Sequence, residues 1–386
     1  MKIKWPSRIA FILALVIAVG LVAVGCVSGL TPVGWSGGTV SNGFLYVGSQ
    51  QGWMVKLNLT DGSRNFSDQQ LVPVSQPGLF GCSASAGGGC GGGPSGVPVY
   101  GTPVVSGNLT YLAGYNGKIY AYNASNLAVR WVYPREGNLE PFVGGLAILE
   151  RPGLPAVLFI GCSDGKVYAL DAELGDKLWE SAVSGDKIWG TPTAFGDKVY
   201  IGSFDKTLFA LNVADGSVKW QYDTGGSIVS KPLIYENTVI FGSFDRSLYA
   251  VNTADGSLKW QFTGRNWFWS EPVLYNDKLY VGCMDKFVYV VNPSTGAKIA
   301  EHELDSAVAS GPVVVGDSVI FASEKGVIYA MNAGTYEVRQ LADLKKTVDG
   351  PLAASSDVVF IHTQDNALQR IDAVTGALLS VISLQP

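Results

Sequence analysis

The sequence predicts an all-β fold: an eight-bladed β-propeller built from four-stranded antiparallel blades. Three observations predict it. The stretch "SFDKTLFALNVADGSVKWQY" at Ser203 is nearly rewritten as "SFDRSLYAVNTADGSLKWQF" at Ser243, forty residues on. A glycine from that element recurs at Gly48, Gly114, Gly161, Gly202, Gly242 and Gly282, with weaker copies at Ala322 and His362. About ten residues after each stands an Asn or Asp: Asn58, Asn123, Asp171, Asn212, Asn252, Asn292, Asn332 and Asp372. Self-similarity of this period marks a repeat architecture. The composition agrees: 48 Gly, 17 Tyr and 10 Trp suit turns and aromatic-rich strands better than helices.

In chain order, Lys2, Lys4 and Arg8 precede the apolar run Ile9–Val24, followed by Gly25 and Cys26. Residues 1–25 therefore read as a signal peptide. The "AVGC" ending resembles the bacterial lipoprotein box, in which the Cys, here Cys26, takes the lipid and becomes the new N-terminus. The same run also admits an uncleaved anchor helix. Either way the body is exported and tied to a membrane. A lipoprotein would sit on the periplasmic face of the outer membrane in a diderm host, and on the outer face of the cell membrane otherwise. Residues 26–37 read as a tether and 38–386 as the propeller.

Within one repeat, "TPTAF", "KVYIGSF", "TLFALN" and "VKWQY" read as four strands, separated by "GD", "DK" and "VADGS". Asx side chains cap such turns, and Gly supplies the positive φ they need. No separator is long enough for a crossover helix, so neighbouring strands run antiparallel. The second strand is apolar on both faces, which asks for a cover on each side of the sheet. Eight sheets packed face to face around an axis provide it. Two insertions interrupt the pattern, at 67–99 and at 134–156. The ring closes either by blade packing alone or with a strand drawn from Val27–Val33.

The chain has five cysteines. Besides Cys26, Cys82 and Cys90 flank "SASAGGG" and read as a disulfide pair in an oxidising compartment. A metal site there lacks His or acidic partners nearby. Cys162 and Cys283 fall in blades three and six, too far apart to pair. A net charge of −5 and only two histidines argue against nucleic-acid binding and His-based catalysis. Asp164, Asp205, Asp245 and Asp285 share one turn position and read as turn formers. No cofactor or metal site is expected.

The regular text is explained by packing, so binding is expected where repetition fails. "RNWFWSEP" replaces the milder "GGSIVSKP" of the preceding copy. Arg265, Trp267, Phe268 and Trp269 are therefore candidate partner contacts, with Trp189 and Tyr100 at corresponding positions. Exposed aromatic rings there would carry binding energy. The competing reading has the rings plugging the narrow end, which fits Trp189 and Trp269 best, while Trp267 and Phe268 are expected to be exposed.

The segments Ala169–Trp179, Ala210–Trp220 and Ala250–Trp260 resemble the tryptophan-docking repeat of quinoprotein-type (PQQ-like) propellers. The resemblance implies that Trp131, Trp179, Trp220 and Trp260 each pack on the turn of the next blade. The staple fades later, where Ala300, Gln340 and Ser380 stand in that column. Quinoprotein dehydrogenases of this repeat hold a quinone, calcium and an adjacent Cys pair. This chain has no such pair and no insertion rich in Asp, Glu and Asn ligands. It is similar to the BamB-type propeller lipoproteins of the outer-membrane β-barrel assembly machinery. That resemblance implies a non-catalytic, lipid-tethered scaffold for proteins of a membrane complex or extended client polypeptides, without nucleic acid. The alternatives that the repeat admits are a PQQ-dependent dehydrogenase-like enzyme and a docking subunit of another cell-surface or redox complex.

Overall fold

Short local turns fold each repeat into one sheet. In blade 4 the strands Thr193–Phe195, Lys198–Gly202, Thr207–Asn212 and Val218–Asp223 succeed one another antiparallel. Tyr200 faces Thr193 on one side and Ala210 on the other, and Ala210 in turn faces Trp220. The computed structural model describes residues 34–64, 68–71 and 96–385. Among these it contains eight such sheets, each of four strands consecutive in sequence, and no helix.

Antiparallel order fixes two faces of the ring. Links between blades and the turns joining strands two and three share one face, called here the mouth face. The turns joining strands one to two and three to four lie on the other. In blades 2 to 8 the last hairpin also carries a register shift, as between Ala210 and Leu211. That bulge turns the fourth strand locally and aims its side chain toward the following blade.

The core lies between blades. Val157, Phe159, Val167, Ala169 and Trp179 of blade 3 pack with Val199, Ile201, Phe209 and Leu211 of blade 4. A lone sheet would leave both apolar faces in water, so each blade depends on its neighbours. Ring closure uses the same device. Leu45, Val47, Val55 and Leu57 of blade 1 pack with Phe360, Leu368 and Leu384 of blade 8. The first strands of these blades, Gly38–Ser41 and Ala353–Ser355, also touch. All four strands of blade 1 and of blade 8 come from their own repeats. The segment Val27–Val33 lies outside the described residues.

The insertion expected at 134–156 divides. Residues 134–146 form the link on the mouth face, where Leu139 N donates to Gly117 O. Ala147–Arg151 and Leu154–Gly161 are simply the first two strands of blade 3. Of 67–99, only 68–71 and 96–99 are described. Cys26, Cys82 and Cys90 lie outside the described residues.

Candidate functional site

The fourth strands hold the seams on the face opposite the mouth. Trp131 Nε1 donates to Ala172 O, Trp179 to Val213 O, Trp220 to Thr253 O and Trp260 to Pro293 O, at 2.9 to 3.0 Å. Each acceptor is the residue after the recurring Asx of the next blade. Where tryptophan is absent, other donors reach the corresponding carbonyl. Tyr46 Oη and Lys56 Nζ donate to Ala124 O, Tyr280 Oη to Ala333 O, and Arg370 Nη2 to Leu59 O. Arg339 Nη2 donates to Ala373 O at 3.5 Å and to Val374 O at 2.7 Å. The staple column in blade 7 is thus Arg339, which pairs with Ala330, and not Gln340.

On the mouth face the repeated aspartates work as locks. Asp245 Oδ1 accepts from Ser247 N, while its Oδ2 accepts from Tyr249 Oη at 2.8 Å and from Gly225 N at 2.7 Å. One carboxylate thereby caps its own turn and fixes the link arriving from the preceding blade. Asp205 does the same with Thr207 N and Gly185 N, and Asp285 with Phe287 N and Arg265 N. Burial and the Asp285 carboxylate push the Tyr289 hydroxyl well above its ordinary value, so it stays a donor. Cys162 and Cys283 are fully buried free thiols, pushed up to about 12 by burial. Among the described residues no three His, Cys, Asp or Glu come together to hold a metal ion.

Each link contributes one residue to a ring around the mouth: Trp35, Tyr100, Val143, Trp189, Val229, Trp269, Ala309 and Asp349. They border a cavity of about 100 Å³. Just inside, Lys231 and Glu271 approach to 3.8 Å. Tyr100 is buried, its ring 4.5 Å from Trp35 edge to face. Trp189 and Trp269 are half-buried.

From the mouth an aromatic crescent runs outward over blades 4 to 6. Trp189 meets Phe204 edge to face at 4.8 Å, and Phe204 meets Phe244 at 6.3 Å. Phe244 stacks with both Trp267, at 4.7 Å, and Trp269, at 5.3 Å. Trp267 is 45% exposed. Arg265 lies beside this surface but is engaged, with its guanidinium 3.9 Å from the Phe287 ring centre and 3.1 Å from Glu301.

Phe268 is not part of the surface. It is fully buried against Phe262 and Tyr289, contrary to the exposure expected for it. The link is extended, so successive side chains alternate. Trp267 points out, Phe268 in, and Trp269 to the mouth. Phe268 occupies the core position filled by Ile188, Ile228, Val308 and Val348 in other links. Sequence reasoning also passed over Phe204, Phe244 and Trp35. The first two were signalled by the repeated "GSFD", in which an aromatic follows the strand where a turn needs none.

A family model described as outer membrane protein assembly factor BamB matches residues 26–189 and 163–379. Outer membrane protein assembly factor BamB of Shewanella oneidensis is 26% identical over 196 residues, 48% of this chain and 42% of that protein. The match spans less than half of that relative. Lanthanide-dependent methanol dehydrogenase of Methylacidiphilum fumariolicum is 29% identical over 112 residues, 26% of this chain and 18% of the enzyme. The crystal structure of BamB from Moraxella catarrhalis superposes with a TM-score of 0.67 at 16% identity, covering 86% of this chain and 95% of that one. At that identity the likeness is one of fold.

Proposed function

Because the chain belongs to the family of outer membrane protein assembly factor BamB, we propose that it is a non-catalytic scaffold in outer-membrane protein assembly. It is exported, its signal is residues 1–25, and Cys26 carries the lipid that tethers it through a short linker to the membrane. Partners of the assembly complex, or client polypeptides in extended form, dock on the mouth face. The observation that carries this reading is the crescent from Trp189 to Trp267. It is aromatic and partly open on a protein whose other recurrent features are consumed by packing.

A photo-crosslinking amino acid at Trp267 should capture a stable or client protein in intact cells. The same probe at Leu258, exposed on the outer rim, should capture far less. Absence of any captured protein from Trp267 would overturn the reading. Cys26→Ala should release the protein from membranes, whereas tight retention would point to an uncleaved anchor helix. A second reading, a quinoprotein-type enzyme, draws on the partial match to the methanol dehydrogenase. Purified protein carrying a redox-active quinone chromophore would favour it.

A further inference from the structure

The mouth ring is unequal around its circumference. The links into blades 1, 2, 4 and 6 place Trp35, Tyr100, Trp189 and Trp269 at its rim, whereas the link into blade 7 supplies only Ala309. That small residue leaves a second cavity of about 250 Å³, lined by Trp35, Trp269, Met284, Ala309, Glu324 and Asp349. Its two acidic residues come from different blades: Glu324 from a turn of blade 7 and Asp349 from the link into blade 8. Asp349 accepts a hydrogen bond from Gln364 Nε2 at 2.7 Å. Lys346, the nearby cation in sequence, pairs with Asp365 instead. Burial, and then the Asp349 charge, raise the Glu324 carboxyl above its ordinary value. The two carboxylates, beside two indoles and a thioether, thus act on each other's charge, and among the described residues neither forms a salt bridge.

We propose that this cavity receives a cationic side chain, arginine or lysine, presented by an extended polypeptide segment. Carboxylates satisfy the charge, an indole face attracts the cation, and Met284 packs on the aliphatic stem. The occupant is a polypeptide because the cavity is continuous with the crescent through Trp269, which lines one and stacks in the other. A segment with an aromatic residue close to a basic one would fill both. The proposal rests on the scaffold reading and adds the chemistry of what the mouth selects.

The test compares two capped peptides, Phe-Ser-Arg-Ser-Phe and its counterpart with citrulline for arginine, by calorimetric titration at physiological salt. The arginine peptide should bind at least tenfold more tightly. The double variant Glu324→Gln, Asp349→Asn should erase that preference while melting like the parent. Glu136→Gln with Glu303→Gln removes the same charge from exposed positions outside the cavity and should preserve it. Equal binding of the two peptides, binding of neither, or a preference retained by the folded Glu324/Asp349 variant overturns the proposal. Crosslinking from Trp267 is read separately. If it persists when the arginine preference fails, the scaffold reading stands without this cavity.

Discussion

Gly175, Gly216, Gly256 and Gly296 sit in the last turn of blades 3 to 6 with φ between 72 and 74°. A Cβ on any of them would fall 2.5 to 2.7 Å from the indole of the preceding blade's tryptophan. Where blades 1 and 6 have no staple tryptophan, the same turn position of the next blade holds Leu127 and Tyr336, still at φ 58 and 63°. The left-handed backbone is therefore tolerated with a side chain; the stacked indole is what demands glycine. (At Gly376 the Leu341 carbonyl takes the indole's place.) Gly256→Ala should accordingly cost more than the roughly 1–2 kcal/mol of left-handed strain alone. In a Trp220→Ala background the added cost should fall back to about that value, a coupling that a urea-denaturation double-mutant cycle measures. An undiminished penalty in that background would show that the clash is not its source.

At the scale of the hairpin and its link, one aspartate joins two segments twenty residues apart, as Asp245 joins Ser247 and Gly225. Removing it leaves the Ser247 amide and the Tyr249 hydroxyl, both on buried residues, and the Gly225 amide of the link short of an acceptor. Asp245→Ala should destabilise by about 1–3 kcal/mol. Hydrogen exchange at the Gly225 amide should quicken more than at amides inside Ser247–Asn252. Uniform acceleration would argue against a local lock. This scale also shows what the sequence made legible. Turns are local chemistry, so "ADGS" and "GD" revealed strand order and blade count. The reader of Arg339, Tyr280 or Arg370 has no such signal. Their acceptors are carbonyls of the next repeat or, for Arg370, of the first one, 311 residues away. The site was half legible for a related reason. "RNWFW" announced an aromatic departure, but which rings face out depends on the alternation of an extended link, and Phe268 fell on the buried phase.

For the ring as a whole, the seam between blades 8 and 1 differs from the others, because it joins the two ends of the repeat array. It is tied by polar contacts: Arg370 to Leu59 O and Thr60 O, Gln50 N to Asn366 Oδ1, and His362 Nδ1 to Ser36 O at 2.9 Å. His362 is buried, with Asn366 and Asp365 the polar side chains that act on its ring, and its burial lowers its pKa. It is neutral in the folded ring, with Nδ1 as donor to Ser36. The unfolded chain takes up a proton there below about pH 6.5. Closure stability is therefore fully present above that pH and declines as pH falls below it toward the depressed folded value. A single proton permits a slope of at most about 1.4 kcal/mol per pH unit. Carboxylates with lowered values, such as Glu180 and Asp197, titrate in a more acid window. Glu324 and Asp68, raised by burial, act with the opposite sign. Comparison with a variant isolates the histidine from both. Urea midpoints measured from pH 7.5 to 5 should fall for the parent protein. For His362→Gln, which starts less stable, they should fall distinctly less. Parallel curves for the two would place the acid sensitivity somewhere other than the closing seam.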